Sequence, residues 1–247
     1  MSYFIFDGVL SLGNQYELKG EEHRHITKSR RLRLGDSFKI QDQQGNRFEA
    51  ILKSIDRNSL LFILHKTVAI PPNSSLRIEI LQALPKQKAL DFILQKTTEL
   101  GISQLDVFCG MHSPKIFRIS EKQHHLERWK RIVTEASKQC ERQFPPEIHF
   151  HPDISASLET LSKCPNSWML VPESADAISW KKLTSSGDDS INHHRVLIGP
   201  EGGFHQDEIK IALRSGIRPV NLGPRILRSD TAAITAVSIL QFLWGDL

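Results

Sequence analysis

Val196-Leu197-Ile198-Gly199-Pro200-Glu201-Gly202-Gly203-Phe204 decides the fold of this chain, together with Val220-Asn221-Leu222-Gly223-Pro224-Arg225-Ile226-Leu227-Arg228-Ser229-Asp230-Thr231-Ala232 shortly after it. Each stretch opens as a short apolar run, breaks at a Gly-Pro turn and continues into helical spacing. Apolar runs without polar alternation suit strands covered on both faces. Glycines at such a strand end let the backbone approach a ligand closely and adopt left-handed dihedrals. Taken singly, a Gly-Pro turn is only a tight βα connection, because Gly and Pro punctuate loops everywhere. Two in succession, one carrying Arg225 and Arg228, point to a ligand site, since open α/β sheets bind ligands where loops leave the carboxyl ends of strands. Met169-Leu170-Val171-Pro172-Glu173 is a third, weaker junction of the same kind.

Working outward, strands and helices alternate. Leu76 to Leu81 reads as a strand, and Leu90, Ile93, Leu94, Thr97 and Leu100 then recur at helical spacing, with Gly101 where a C′ glycine belongs. Ile102 to Phe108 reads as the next strand. Leu126, Trp129, Ile132, Val133, Ala136 and Cys140 give a second amphipathic helix. Further strands are expected at 168–171, 196–198 and 219–222, with helices at 207–215 and 231–244. The implied class is α/β, a largely parallel sheet with helices on both faces. Upstream of Ile70-Pro71-Pro72-Asn73-Ser74-Ser75 the pattern differs. Phe38 and Ile40 alternate with polar residues, as do Phe48, Ala50 and Leu52, and Leu60 to Leu64 forms a third run. Turns are expected at 43–46 and 56–59. This predicts a small antiparallel barrel or sheet over residues 1–70 and a second domain over 73–247, parted by prolines that neither extend a helix nor pair inside a sheet.

Composition narrows the function. A chain of 247 residues with 39% hydrophobic and 24% charged content has ample core and is neither disordered nor fibrous. Ala236 to Trp244 is far too short for a membrane span, and Met1-Ser2-Tyr3-Phe4 carries no basic export signal, so a cytoplasmic protein is expected. Cys109, Cys140 and Cys164 lie far apart, which argues against disulfides and zinc knuckles. His193-His194-Arg195 and the His149/His151 pair lack a cysteine or acidic partner at ligand spacing, so no metal is expected. A formal charge of +4 permits an anionic partner without requiring one. No GxGxxG follows an early strand and no Gly-Lys-Ser/Thr is present, which removes Rossmann and P-loop phosphate sites.

GPEGGF at 199–204 and LGPRILRSDTA at 222–232, with Lys96-Thr97-Thr98-Glu99-Leu100-Gly101 and Glu135-Ala136 followed by Gln139, Arg142 and Pro146, resemble the ribosomal RNA small subunit methyltransferase E family. That family belongs to the trefoil-knotted SPOUT methyltransferases and places a PUA-like barrel before the knotted domain. The resemblance implies S-adenosylmethionine-dependent methylation of N3 of a uridine in 16S ribosomal RNA, by a homodimer acting on the small ribosomal subunit. It also implies a knot, against the usual rule. The family's cofactor pocket maps onto Leu170, Val171 and Pro172; Ile198, Gly199, Pro200, Gly202 and Gly203; and Leu222, Gly223, Arg225, Ile226 and Leu227, with Thr231 and Ala232 behind.

For catalysis the resemblance brings forward Arg228, to stabilise a uracil anion, with Asp230, Glu201 or solvent taking the N3 proton. A salt bridge or carbonyl cap for Arg228 and Arg225, and a helix N-cap for Asp230, stand beside those roles. The chain departs from the family in carrying Ser229-Asp230 for Thr-Glu, and His205 where a helix-capping serine is usual. The basic segment Lys19–Arg33 supplies His25, Lys28, Arg30, Arg31 and Arg33 as expected RNA contacts, with Lys86 added from the second domain. From charge alone that segment reads as a solvated helix face; coupled to the methyltransferase motifs it reads as an RNA dock. Two rival functions remain open: a non-catalytic RNA-binding assembly factor on the same fold, and a related methyltransferase with another RNA target.

Overall fold

The computed structural model describes residues 3–114, 122–161, 164–172, 177–180 and 192–247, which leaves Glu173 of the third junction outside the described residues. The chain forms two compact units. The first runs to Pro72 and takes in Ser137–Phe144; the second comprises Asn73–Ala136 and Pro145–Leu247.

In the first unit β1 (Phe4–Ile5), β2 (Gln15–Lys19), β3 (Ser37–Gln41), β4 (Arg47–Ile55) and β5 (Ser59–Thr67) form one sheet in the order β1-β3-β4-β5-β2. Pairing is antiparallel except between β1 and β3. The alternating residues Phe38, Ile40, Phe48, Ala50, Leu52, Leu60, Phe62 and Leu64 fill its core, because a pleated strand turns every second side chain to one face. β1 and β2 are additions to the three strands expected. β2, Gln15-Tyr16-Glu17-Leu18-Lys19, alternates polar and apolar residues, with Leu18 buried and Tyr16 packed against the core, but only two apolar positions carry the pattern. The basic segment is helical: α1 (Gly20–Arg24) runs into a π-helical turn, His25–Arg30, that ends on Arg31 at φ 53°.

Ser137–Phe144 joins this unit through β4. The fully buried Arg47 side chain donates to Gln41 Oε1 at 2.8 Å, to Arg142 O at 3.1 Å and to Glu141 O at 3.3 Å, and lies over the Tyr3 ring at 3.9 Å. Burial pulls the guanidinium below its usual pKa and pushes the Tyr3 phenol above its own. A buried charge is tolerated only when its donors are met, and here backbone carbonyls meet them.

The second unit is a sheet of seven strands: β6 (Arg77–Ala83), β7 (Gln104–Phe108), β8 (Glu147–His151), β9 (Asn166–Leu170), β10 (Ile178–Ser179), β11 (His193–Ile198) and β12 (Arg218–Asn221). Their order is β10-β12-β9-β11-β6-β7-β8, and every pairing is parallel. Ile78, Ile80, Leu105, Val107, Trp168, Val196, Ile198 and Val220 pack with α2 (Gln87–Glu99), α3 (Lys122–Gln139) and α6 (Ser229–Trp244) on one face. The intervening Leu81, Ala83, Phe108, Met169 and Leu197 pack with α4 (Ile154–Thr160) and α5 (Gln206–Arg214) on the other. Covering both faces explains why these strands read as unbroken apolar runs. Gly101 sits at φ +89° just past α2, the left-handed C′ position expected of it. β8, α4 and β10 were not anticipated.

Candidate active site

A cavity of about 660 Å³ opens where β9, β11 and β12 end, walled by the loops that follow them and by α5 and α6. Leu170, Val171, Pro172, Ile198, Gly199, Pro200, Gly202, Gly203, Leu222, Gly223, Arg225, Ile226, Leu227 and Ala232 all line it. Thr231 does not: it is exposed, and both its N–H and its hydroxyl turn to Asp230 Oδ1, at 2.7 and 3.3 Å. Met169, Phe204, Ile209, Leu213, Pro219 and Ser229 line the cavity without having been singled out. Phe204 had a sequence signal, being the aromatic that closes the glycine run.

Gly203 (φ +71°) and Gly223 (φ +114°) hold conformations that side chains disfavour. Gly202 is small for a different reason, since a Cβ there would stand 3.0 Å from His112 Cβ. His112 belongs to the turn after β7. Its Nδ1 donates to Gly203 O at 3.2 Å, as it must, because a carbonyl only accepts.

His205, in place of a serine, still caps α5. Its Nδ1 accepts from Asp207 N–H at 3.2 Å, while the buried Glu208 carboxylate accepts from His205 N–H at 2.8 Å. Nδ1 thus takes the place of the hydroxyl oxygen as the capping acceptor. The second Glu208 oxygen accepts from Met111 N–H at 3.0 Å. One carboxylate thus ties the β7 turn to the glycine loop.

The three candidate catalytic residues have distinct settings. Arg228 is exposed and is itself the N-cap residue of α6, with no capping bond from its side chain. Asp230 is therefore not the cap. The helix begins one residue before it, and its carboxylate bonds the next amide within the first turn, where negative charge suits the helix dipole. Ser229, buried, sends its hydroxyl to Gly199 O at 2.7 Å instead of to a helix amide. Glu201 is exposed, and its two carboxylate oxygens accept from Lys86 N–H at 3.1 and 3.3 Å, capping α2 from outside. Glu201 and Lys86, given separate roles by the sequence, meet through that backbone bond.

Of the expected RNA contacts, Lys28, Arg30, Arg31 and Arg33 are exposed on and just after the π-helical turn, and Lys86 is exposed in the second unit. His25 is half-buried, edge-on to Phe4 at 5.3 Å. Among the described residues no group of three or more His, Cys, Asp or Glu could hold a metal ion, and no helix is long and apolar enough to cross a membrane.

Comparison with known proteins agrees with this geometry. Residues 72–241 match the family model described as RNA methyltransferase domain, and residues 18–64 match RNA methyltransferase PUA domain. The ribosomal RNA small subunit methyltransferase E of Buchnera aphidicola subsp. Acyrthosiphon pisum is 29% identical over 94% of this chain and 90% of its own. The protein of that name from Bacillus subtilis is 25% identical, covering 92% and 90%. Among solved structures, the putative methyltransferase Lpg2936 of Legionella pneumophila, in complex with bound cofactor SAM, superposes with a TM-score of 0.89 at 26% identity over 99% of this chain and 98% of that one. The Neisseria gonorrhoeae ribosomal RNA small subunit methyltransferase E bound to S-adenosyl methionine gives 0.86 at 25% identity over 100% and 99%. With a PUA domain ahead of a methyltransferase domain whose strand-end loops enclose one large apolar cavity, the chain belongs to the RNA methyltransferase family of the ribosomal RNA small subunit methyltransferase E proteins.

Proposed function

We propose that this chain methylates N3 of one uridine in the 16S RNA of the small ribosomal subunit, with S-adenosylmethionine as donor. The observation that carries the proposal is the cavity at the ends of three adjacent parallel strands, walled by glycine, proline and aliphatic residues. The lining suits an adenosine-bearing donor. Leu170, Ile198, Leu222 and Leu227 offer apolar walls to a flat purine, and the glycine loops leave backbone amides and carbonyls open to its polar edge. The Glu201 carboxylate in the lining is turned to a backbone amide. When bound, the donor supplies an electrophilic methyl carbon on a sulfonium, so the difficult chemistry comes with it.

The chain's own residues then have three tasks. The first is to hold the target base in line with that carbon; positioning of this kind contributes on the order of 7–11 kcal/mol in favourable cases. The second is to stabilise the uracil ring as N3 loses its proton, because the neutral imide has no free lone pair there. Arg228, exposed at the start of α6 beside the cavity, is assigned to the uracil oxygen on which negative charge develops. The third is to accept the proton. Asp230, on the same turn, is the better of the two carboxylates for this, since both Glu201 oxygens are engaged by Lys86 N–H.

The exposed Lys28, Arg30, Arg31 and Arg33 are proposed to follow the RNA phosphates. A homodimer is proposed from Ile226, 85% exposed at the cavity wall, and Phe242, 74% exposed on α6. A knot is proposed as well; the strand order, with β12 between β9 and β10, supports it.

The test is a map of modified nucleotides in small-subunit RNA from cells lacking the protein. One N3-methyluridine should disappear, return with the wild-type chain and stay absent with Arg228→Ala. An unchanged map refutes the proposal. Donor binding without loss of any small-subunit modification points to another RNA target, and absence of donor binding to a non-catalytic assembly factor.

A further inference from the structure

Gln82 is fully buried in β6, next to the last residue of a central parallel strand, where an apolar side chain is the norm. A buried amide is costly unless it is bonded. Its Nε2 donates to Ala83 O at 2.8 Å and to Ser229 Oγ at 3.0 Å, with Gly199 O at 3.3 Å and Ile198 O at 3.4 Å also in reach. Ser229 Oγ in turn donates to Gly199 O at 2.7 Å. These contacts draw together the end of β6, the first residue of the 199–205 loop and the first turn of α6. Ile198, Gly199 and Ser229 all line the cavity; Gln82 stands behind them. Gln82 Oε1 has no hydrogen-bond partner among the described residues. Fold stability alone would favour a leucine at this position, with no amide oxygen left unmet.

From this we infer that Gln82 and Ser229 are a positioning pair for the methyl donor: through Gly199 O they fix the spacing between the two strand-end loops that enclose it. The register supports this, since Gln82 is paired directly with Ile198, the residue from which the glycine loop departs. Only a side chain of this reach, with two N–H groups, bonds its own strand end and the helix hydroxyl together. The inference rests on the donor-binding reading of the cavity. It adds that the amide and hydroxyl act on donor affinity through one shared hydrogen-bond chain.

The test is calorimetric titration of the purified full-length chain with S-adenosylmethionine, each variant held well below its own melting midpoint. Gln82→Leu and Ser229→Ala should each weaken binding roughly five- to thirty-fold, the range expected when one buried partner is left unmet. The double variant should bind about as weakly as either single one, because both break the same chain. Ser229→Thr keeps the hydroxyl and should restore affinity. If the wild type fails to bind the donor, the cavity assignment fails. If the wild type binds and both single variants bind equally well, with only their melting points lowered, the pair is structural and the inference is overturned. Multiplicative losses in the double variant overturn it as well.

Discussion

Gly202→Ala tests how the cavity loop is braced. A Cβ at Gly202 would lie 3.0 Å from His112 Cβ, 3.6 Å from Cγ and 3.7 Å from the His112 carbonyl oxygen. Ordinary carbon contacts begin near 3.4 Å, so one loop must retreat by about 0.4 Å. Overpacking of this kind costs about 1–3 kcal/mol, with a surface loop and a single methyl at the lower end. His112 is bonded to Gly203 O and its neighbour Met111 to Glu208, so the two segments are tied and relief of the clash must shift the glycine loop relative to the turn after β7. Movement of that loop changes the cavity wall. We expect stability to fall by about 1 kcal/mol, and donor affinity, by calorimetry, to fall about five-fold, the equivalent of that energy. His112→Gly removes the opposing carbon. Gly202→Ala combined with it should then match His112→Gly alone in both melting point and affinity. A Gly202→Ala chain that melts and binds like wild type would falsify the brace, and so would a double variant as impaired as the sum of its parts.

Four further outcomes follow from the geometry. Arg228→Ala should lower methyl-transfer turnover by about a hundred-fold, as for loss of one anion-stabilising donor, while leaving donor affinity within about two-fold; equal turnover would remove it from catalysis. His205→Ala should cost about 1 kcal/mol by thermal melting and His205→Ser should recover most of it, because a hydroxyl serves the same α5 amide; no recovery would refute the capping role. Lys39 donates to Glu141 at 2.6 Å and holds that carboxyl below the usual carboxylate range. A depressed folded pKa gives stability that is present above the unfolded value and lost as pH falls through the folded one, so the melting gap between wild type and Lys39→Met should narrow below about pH 4. A gap constant from pH 7 to 3 would contradict this. Burial pushes the Cys109 and Cys164 thiols up. At pH 8 iodoacetamide should therefore label both sites in the folded chain more slowly than in denatured chain, read site by site by mass spectrometry; equal rates would refute it.

Much of this architecture was readable in advance, for reasons tied to particular residues. Strands covered on both faces announce themselves as Val196–Ile198 does, and half-buried ones as Phe38 and Ile40 do, because burial imposes the pattern directly. β2 escaped because only Tyr16 and Leu18 carry its alternation, and β10 because it has only two residues. The cavity walls were legible in the glycines, whose dihedrals the loops demand. Ser229 and Gln82 were not: neither residue type is unusual, and their significance comes from a bond between positions 147 residues apart. The capping role expected of Asp230 fails by two residues, since Arg228 supplies the extended N-cap backbone with no side-chain acceptor. His205 shows the converse, a residue type outside the usual capping set whose ring nitrogen performs the same function.

The excursion of Ser137–Phe144 into the first unit has a consequence for how this gene can be divided. The polypeptide enters that unit, leaves after Pro72, returns at Ser137 and departs again after Phe144. A fragment ending at residue 72 would lack the two carbonyls that receive the Arg47 guanidinium and the segment that covers it, leaving it only Gln41 and the Tyr3 ring. The amino-terminal module is therefore not a portable cassette. It can be transplanted only with an eight-residue strap borrowed from the middle of the chain, and shuffling by simple end-to-end fusion would be selected against.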